Sequence, residues 1–393
     1  LPVPVKDSVN TKDYPTTGGT PALRYFRPGE DASVVKTLRA AGAIILGKTN
    51  LHELSSGLTS NNLAFGAVHN PYDPTRIPGG SSGGTAAAVA AHMAPLGVGE
   101  DTLGSIRVPA AMCGICGFRP TTGRYSSEGV LPLSPMFDQV GPLARTASDL
   151  ALFDSVVADD WHPLISAPLK GVRLGIVRDL DPEVGRVTGL ALQRLKDAGA
   201  ELVDTQFPGL QSLIDATTTN ILLHDTLRAL PRYLQEYGVG VTLDELVNQS
   251  SADVREIFRN YVLPGAPHYV AEATYLAERD IQPPALRRAY QEYFAKTGVA
   301  SIVFPATMIP ATLIGQDDVE IRGKKVSYFR AASRNISPGS TAGVPGLVLP
   351  VGLTTAGLPV ALEFDAPAHG DRALLALGLS LERALGPIPP PNI

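Results

Sequence analysis

The chain has 393 residues, 44% hydrophobic, 18% charged and 6% aromatic, with a formal net charge of −5. That length holds two or three average domains, or one large α/β domain with insertions. No basic block stands out and aromatics are sparse, which argues against a nucleic-acid binder. Two cysteines cannot form a disulfide framework, which points to a reducing, cytoplasmic compartment.

In chain order, LPVPVKD comes first. Lys6 follows an apolar run, Val3 to Val5, where burial disfavours an ammonium and favours a neutral amine able to act as general base. The plainer reading is a strand-end lysine paired with Asp7. From Gly29, GEDASVVKTLRAAGAIILGKTN reads as an amphipathic helix followed by a short strand, Ala43 to Leu46. NPYDPTRIP holds Pro71, Pro74 and Pro78 and is not a strand.

PGGSSGGTAAAVAA, Pro78 to Ala91, runs directly into an alanine-rich helix, so it is not a linker. It lacks the lysine of a phosphate loop. Gly79 to Gly83 matches Gly-x-Ser-x-Gly, but the strand that a nucleophile elbow requires is missing in front of it. Next, GVGEDTLGSIR reads as a strand, a tight turn at Thr102, Leu103 and Gly104, and then Ser105 where a nucleophile belongs. Amides of such a turn can converge on an oxyanion. Cys113 and Cys116 form a Cys-x-x-Cys, but a zinc site needs two more ligands and none is apparent, so both read as packing.

Gly171–Val177, Pro182–Ala200 and Glu201–Phe207 read as strand, helix and strand, implying a mainly parallel sheet covered by helices. Leu210 to Lys296 is a helical excursion. Ser301–Ala306 and Gly346–Leu353 return as strands, and GPIPPPNI is a surface terminus. The longest uncharged run, Asn335 to Leu362, contains Pro338, Pro345, Pro350 and Pro359 and cannot be a membrane helix. With no repeat or long linker, residues 1–393 read as one domain. The seven histidines are scattered singly. The one histidine-based alternative is a serine esterase with Ser81 as nucleophile, His369 as base and Asp365 nearby.

Several stretches together resemble the amidase signature family: PVKD, GAIILGKTNLHELSSGLTSNNLAFGAVHNPYD, PGGSSGGTAAAVAA, GEDTLGSIRVPAAMCGICGFRPTTGR, FDQVGPLARTASDLALF and AGVPGLVLPVGLTTAGLPVALEF. They occur in the family's order across nearly the whole chain. The resemblance implies an α/β/α layered fold with a large mixed, mostly parallel sheet covered by helices on both faces. It also implies a Ser–cis-Ser–Lys triad with Ser105 as nucleophile, Ser81 as bridge and Lys6 as base, using neither metal nor cofactor.

By the same resemblance, amides from Thr102 to Ser105 hold the oxyanion and Ser55 contacts substrate. Ser82, Asp101 and Arg107 support the site. Leu103-Gly104 stands where the family commonly has Gly-Gly, so the Leu103 side chain is expected to narrow the pocket. Helices usually precede the lysine in this family, so an N-terminal segment is expected to be missing from the chain. GEDTLGSIRVPAAMCGICGFRPTTGRYSSEGV is most similar to the arylacetamide branch, implying hydrolysis of small aromatic or apolar amides, with residues 210–296 shaping the pocket. Carbamate, anilide or ester cleavage would fit the same triad, and an amidotransferase subunit supplying ammonia to glutamyl-tRNA is a related alternative. A small-molecule substrate, no nucleic acid and no membrane are the expected partners, and a homodimer is the assembly expected.

Overall fold

The structure, a computed structural model, describes residues 1–176, 182–204 and 218–393. Among these, the main sheet has ten strands: β1 (Pro2–Lys6), β2 (Ile44–Thr49), β5 (Leu96–Asp101), β6 (Cys116–Arg119), β7 (Gln139–Ala144), β8 (Arg173–Ile176), β9 (Glu201–Asp204), β10 (Ser301–Pro305), β13 (Gly346–Leu353) and β14 (Pro359–Asp365). Two small hairpins, β3 (Asn61–Asn62) with β4 (Gly66–Ala67) and β11 (Asp318–Ile321) with β12 (Lys324–Ser327), lie apart from it. The spatial order is β2-β1-β5-β7-β6-β13-β14-β10-β8-β9.

Pairing is parallel at both flanks, β2–β1–β5 and β10–β8–β9, and antiparallel from β5 across the centre to β10. Chain length between strands decides this. The turn Thr354–Leu358 joins β13 to β14 and is too short for a crossover, so the two strands run antiparallel. The unit read from Gly171 to Phe207 forms the parallel flank, with its helix at Pro182–Asp197. Val177 and residues 205–207 lie outside the described residues.

Helices cover both faces. On one, α1 (Ser33–Ala40) and the helices Ala147–Val157, Pro182–Asp197 and Asp371–Leu385 bury Val35, Leu150, Leu195 and Leu375 against strand residues such as Val98 and Leu347. On the other, α2 (Gly83–Ala90) and α3 (Arg107–Met112) bury Ala86, Val89 and Ala110 against Leu143 and Val348. Each large aliphatic side chain fully buried this way contributes roughly 1.5–3 kcal/mol.

The helical excursion appears as Thr218–Glu236, Leu243–Gln249, Ala252–Ile257, Phe258–Val262 and Glu272–Thr297, while residues 210–217 lie outside the described residues. Among the described residues no helix is long and apolar enough to cross a membrane. The feature that matters for function is local. Because β1 and β5 are parallel neighbours with Val5 opposite Val98, their C-terminal ends bring Lys6 and Glu100 to the same sheet edge.

Candidate active site

Lys6 ends β1 fully buried. Its Nζ lies 2.7 Å from Ser81 Oγ, 2.7 Å from Glu100 Oε2 and 3.4 Å from the Glu100 carbonyl oxygen. Pairing with Asp7 does not occur. The Asp7 carboxylate, in the turn that follows β1, goes instead to Lys48, 3.1 Å away, and to Thr17.

Ser81 sits in the glycine–serine loop between Pro78 and α2, and the Gly80–Ser81 peptide is cis. Its carbonyl accepts from the His52 amide at 3.1 Å and from Ser60 Oγ at 3.2 Å. The glycines that follow are needed for approach: a Cβ on Gly84 would stand 2.2 Å from Asn50 O, and one on Gly83 2.3 Å from Ser60 Oγ. Ser82 ties this loop to β5, its amide donating to Ser105 O at 3.1 Å and its hydroxyl to Glu100 O at 3.0 Å. The expected site residues Lys6 and Ser81 therefore touch directly, and Ser105 joins them through the main chain of Ser82.

The turn after β5 is built around Asp101. Its carboxylate accepts the amides of Gly104 (2.8 Å) and Ile106 (2.9 Å) and pairs with Arg107 Nη2 at 3.1 Å and Arg119 Nε at 3.4 Å. Burial alone would push the carboxyl up, but the two guanidiniums hold it down at about 2. Arg107 also reaches Glu363 Oε1 at 2.6 Å, and its own pKa lies above the ordinary value despite burial. Asp101 and Arg107 thus hold the loop. Gly104 carries φ +126°, which a non-glycine residue adopts rarely, whereas Leu103 one position earlier is not among the left-handed residues. Leucine is tolerated at the one place of the pair where the backbone permits a side chain.

Ser55 follows Leu54 in the left-handed region, at φ 55° and 51°. Its hydroxyl donates to Glu100 Oε2 at 3.2 Å. Ser55, Thr102, Leu103 and Ser105 together line a cavity of about 70 Å³. The helical excursion and one later helix add an apolar wall of Leu222, Ile257, Phe258, Val262 and Phe329, and Leu58 and Leu133 extend it.

The histidine alternative does not assemble. Ser81 Oγ is engaged by Lys6, while His369 lines a different cavity with Thr121, Arg287 and Tyr290. Asp365 faces Tyr290 Oη at 3.3 Å. Cys113 and Cys116 are buried free thiols, and Cys113 donates to Pro78 O. Burial pushes the Cys113 thiol far up, so it packs as a small apolar residue.

The family described as Amidase matches residues 1–375. The chain belongs to the amidase family. It is an enzyme that hydrolyses amide C–N bonds. An indoleacetamide hydrolase of Agrobacterium vitis is 39% identical over 392 residues, covering 98% of this chain and 83% of that one. A mandelamide hydrolase of Pseudomonas putida is 35% identical over 413 residues, covering 100% and 80%. Among solved structures, a peptide amidase in complex with the competitive inhibitor chymostatin superposes with a TM-score of 0.84 at 28% identity, covering 100% and 85%. The amidase signature fold expected from the sequence, a large mixed sheet between helical layers, is the fold observed, with five of its nine described strand pairings antiparallel where a mostly parallel sheet was expected.

In this amidase, sequence reasoning missed the carboxyl groups behind Lys6. Glu100 is one. Asp138, just before β7, is the other: Thr102 Oγ1 lies 2.9 Å from Glu100 Oε1 and 2.7 Å from Asp138 Oδ1. Burial first, then the charge of Glu100, pushes the Asp138 carboxyl up to about 8. His52, buried beside the loop, is held down at about 4, chiefly by burial and further by the charge of Lys6, against the pull of Asp253. One signal was available. Glu100 and Asp101 are adjacent acids closing an apolar strand, so alternation had to bury one on each face.

Proposed function

We propose that this amidase hydrolyses small aromatic or apolar primary amides through an acyl-enzyme on Ser105, with Ser81 and Lys6 as its proton relay. The observation that carries the reading is the 2.7 Å contact between Lys6 Nζ and Ser81 Oγ, buried beside the apolar cavity that Ser105 lines. The unprotonated Lys6 amine takes the Ser81 proton, Ser81 takes that of Ser105, and Ser105 Oγ attacks the amide carbonyl carbon. The relay then reverses. Lys6 returns the proton through Ser81 to the leaving nitrogen, the C–N bond breaks and ammonia departs. Water attacks the ester by the same path and releases the acid.

The Gly104 amide is committed to Asp101. The amides of Leu103 and Ser105 meet no acceptor among the described residues and are the donors assigned to the oxyanion. Removing one such donor typically costs roughly 3–4 kcal/mol of transition-state stabilisation. The substrate class follows from the apolar wall supplied by Leu103, Leu222, Phe258 and Val262, and from relatives named for indoleacetamide and mandelamide.

The test is a panel of acetamide, phenylacetamide, mandelamide, indoleacetamide, an anilide, an ester and an aryl carbamate. Arylacetamides should give the highest kcat/KM. Lys6→Ala and Ser105→Ala should each abolish hydrolysis, and His369→Ala should retain most of it. Full activity in either of the first two variants overturns the relay.

A further inference from the structure

Count the protons around Thr102. Its hydroxyl carries one hydrogen, yet its oxygen stands within hydrogen-bond distance of two carboxyl oxygens, Glu100 Oε1 at 2.9 Å and Asp138 Oδ1 at 2.7 Å. If both acids were ionised, one of these contacts would oppose lone pairs with no hydrogen between them. One carboxyl must therefore supply its own proton.

The surroundings say which. Glu100 Oε2 receives Lys6 Nζ and Ser55 Oγ, while among the described residues Glu100 Oε1 is hydrogen-bonded by Thr102 alone. Asp138 Oδ2 accepts two amides, Leu133 N at 2.9 Å and Ser134 N at 3.0 Å, leaving Oδ1 to hold a hydrogen towards Thr102.

Charge gives the same answer. Among the described residues Lys6 is the basic side chain in direct contact with Glu100, and ionising both acids would bury a second negative charge with no basic partner of its own. Arg119 lies near on β6, but its Nε faces Asp101 and its Nη2 donates to the Phe137 carbonyl at 2.6 Å. His52 is neutral above about pH 4. From the helix Thr218–Glu236, Asp225 approaches only through Ser134 and is itself hydrogen-bonded by Tyr275 Oη.

We propose that Asp138 is protonated in the resting enzyme and donates through Thr102 to Glu100, so that Glu100–Thr102–Asp138 forms a proton store behind Lys6. Asp138 and Glu100 are positioning residues, because they act on the reaction through the lysine. The direction in which burial and Glu100 move the Asp138 carboxyl agrees with this arrangement. When Asp138 loses its proton, a second negative charge faces Lys6 through Glu100. That favours the ammonium form, which cannot accept the Ser81 proton.

The kinetic consequence rests on the relay proposed above. The shared proton does not, so the test has two arms. In the first, the protein is labelled with ¹³C at aspartate side-chain carboxyls, and the Asp138 signal is identified by its loss in Asp138→Asn. The expected signal is that of a neutral acid at neutral pH, moving to the carboxylate position near pH 8. Should Asp138→Asn fail to fold, Glu100→Gln identifies the signal by shifting it. An Asp138 signal already ionised at neutral pH overturns the proposal.

In the second arm, kcat/KM for phenylacetamide is followed against pH. The wild-type rate should fall above about pH 8, approaching tenfold per pH unit. Asp138→Asn should lose that limb. Retention of the limb in Asp138→Asn overturns the kinetic role of the store. Activity surviving in Lys6→Ala overturns the relay instead, and leaves the carbon-13 result standing.

Discussion

Two buried charge clusters hang from opposite faces of β5, one from Glu100 and the other from Asp101. Both hold more carboxyl groups than cations. On the Asp101 side, burial together with the charge of Glu363 pushes the Asp365 carboxyl well up, so the extra proton there sits on Asp365. On the Glu100 side the extra proton belongs to Asp138. The difference lies in the cation. Arginine keeps its charge under any condition a protein meets, so Arg107 and Arg119 fix the loop that carries Ser105. Lysine can give up its proton, so the cluster around Lys6 can take part in acid–base chemistry. Neighbouring acids on one strand thus serve structure on one face and reaction on the other.

The largest effect should come from breaking the arginine face. Arg107→Ala leaves Asp101 and Glu363 without their buried partner, and urea unfolding should show a loss of about 3–5 kcal/mol. Asp101 gives this face an acid limit. With its carboxyl at about 2 in the folded chain and near 3.8 unfolded, its stabilisation is complete above the unfolded value and disappears as pH falls towards 2.

On the lysine face, His52 should show its acid sensitivity earlier. An unfolded imidazole binds a proton near pH 6.5 and the buried one only near 4. Protons therefore favour the unfolded chain between those values, and stability is full above about 6.5 and declines as pH falls to about 4. The loss is on the order of 3 kcal/mol. Urea midpoints of wild type and His52→Gln should diverge less at pH 4 than at pH 7.

Thr102→Val sharpens the comparison by removing the hydroxyl between the two acids. It should cost about 1–3 kcal/mol in urea unfolding, since two buried oxygens lose a partner. Asp138 contributes with the opposite sign to His52. Its folded carboxyl keeps a proton up to about pH 8 while the unfolded one releases it near 3.8, so that stabilisation is lost as pH rises between them. The smallest effect is expected from Leu103→Ala, at the turn where both faces meet. Widening the cavity should raise kcat/KM for a bulky arylacetamide relative to acetamide by about tenfold, and an unchanged ratio would show that Leu103 does not narrow the pocket.

Much of this molecule was legible along the chain because the forces concerned are local. The apolar run Gly346–Leu353 is a strand end to end, and the amphipathic segment after Gly29 gives a helix at Ser33–Ala40. The antiparallel centre of the sheet was not legible, since strand order depends on which segments meet across long separations. The same holds for the site. Lys6, Ser81 and Ser105 could be singled out from their settings, but the pairing of Lys6 with Glu100 spans 94 positions.

What the sequence determined by itself was the supply of parts: a lysine at the end of an apolar strand, glycines thin enough for a serine loop to close, and two acids alternating on β5. Tertiary structure alone decided their partners. The turn after β1 carried Asp7 away to Lys48, parallel pairing of β1 with β5 set Lys6 on Glu100, and the antiparallel return of β7 brought Asp138 to Thr102. A buried charge takes its character from what lies within a few ångströms of it, and sequence distance carries no information about that.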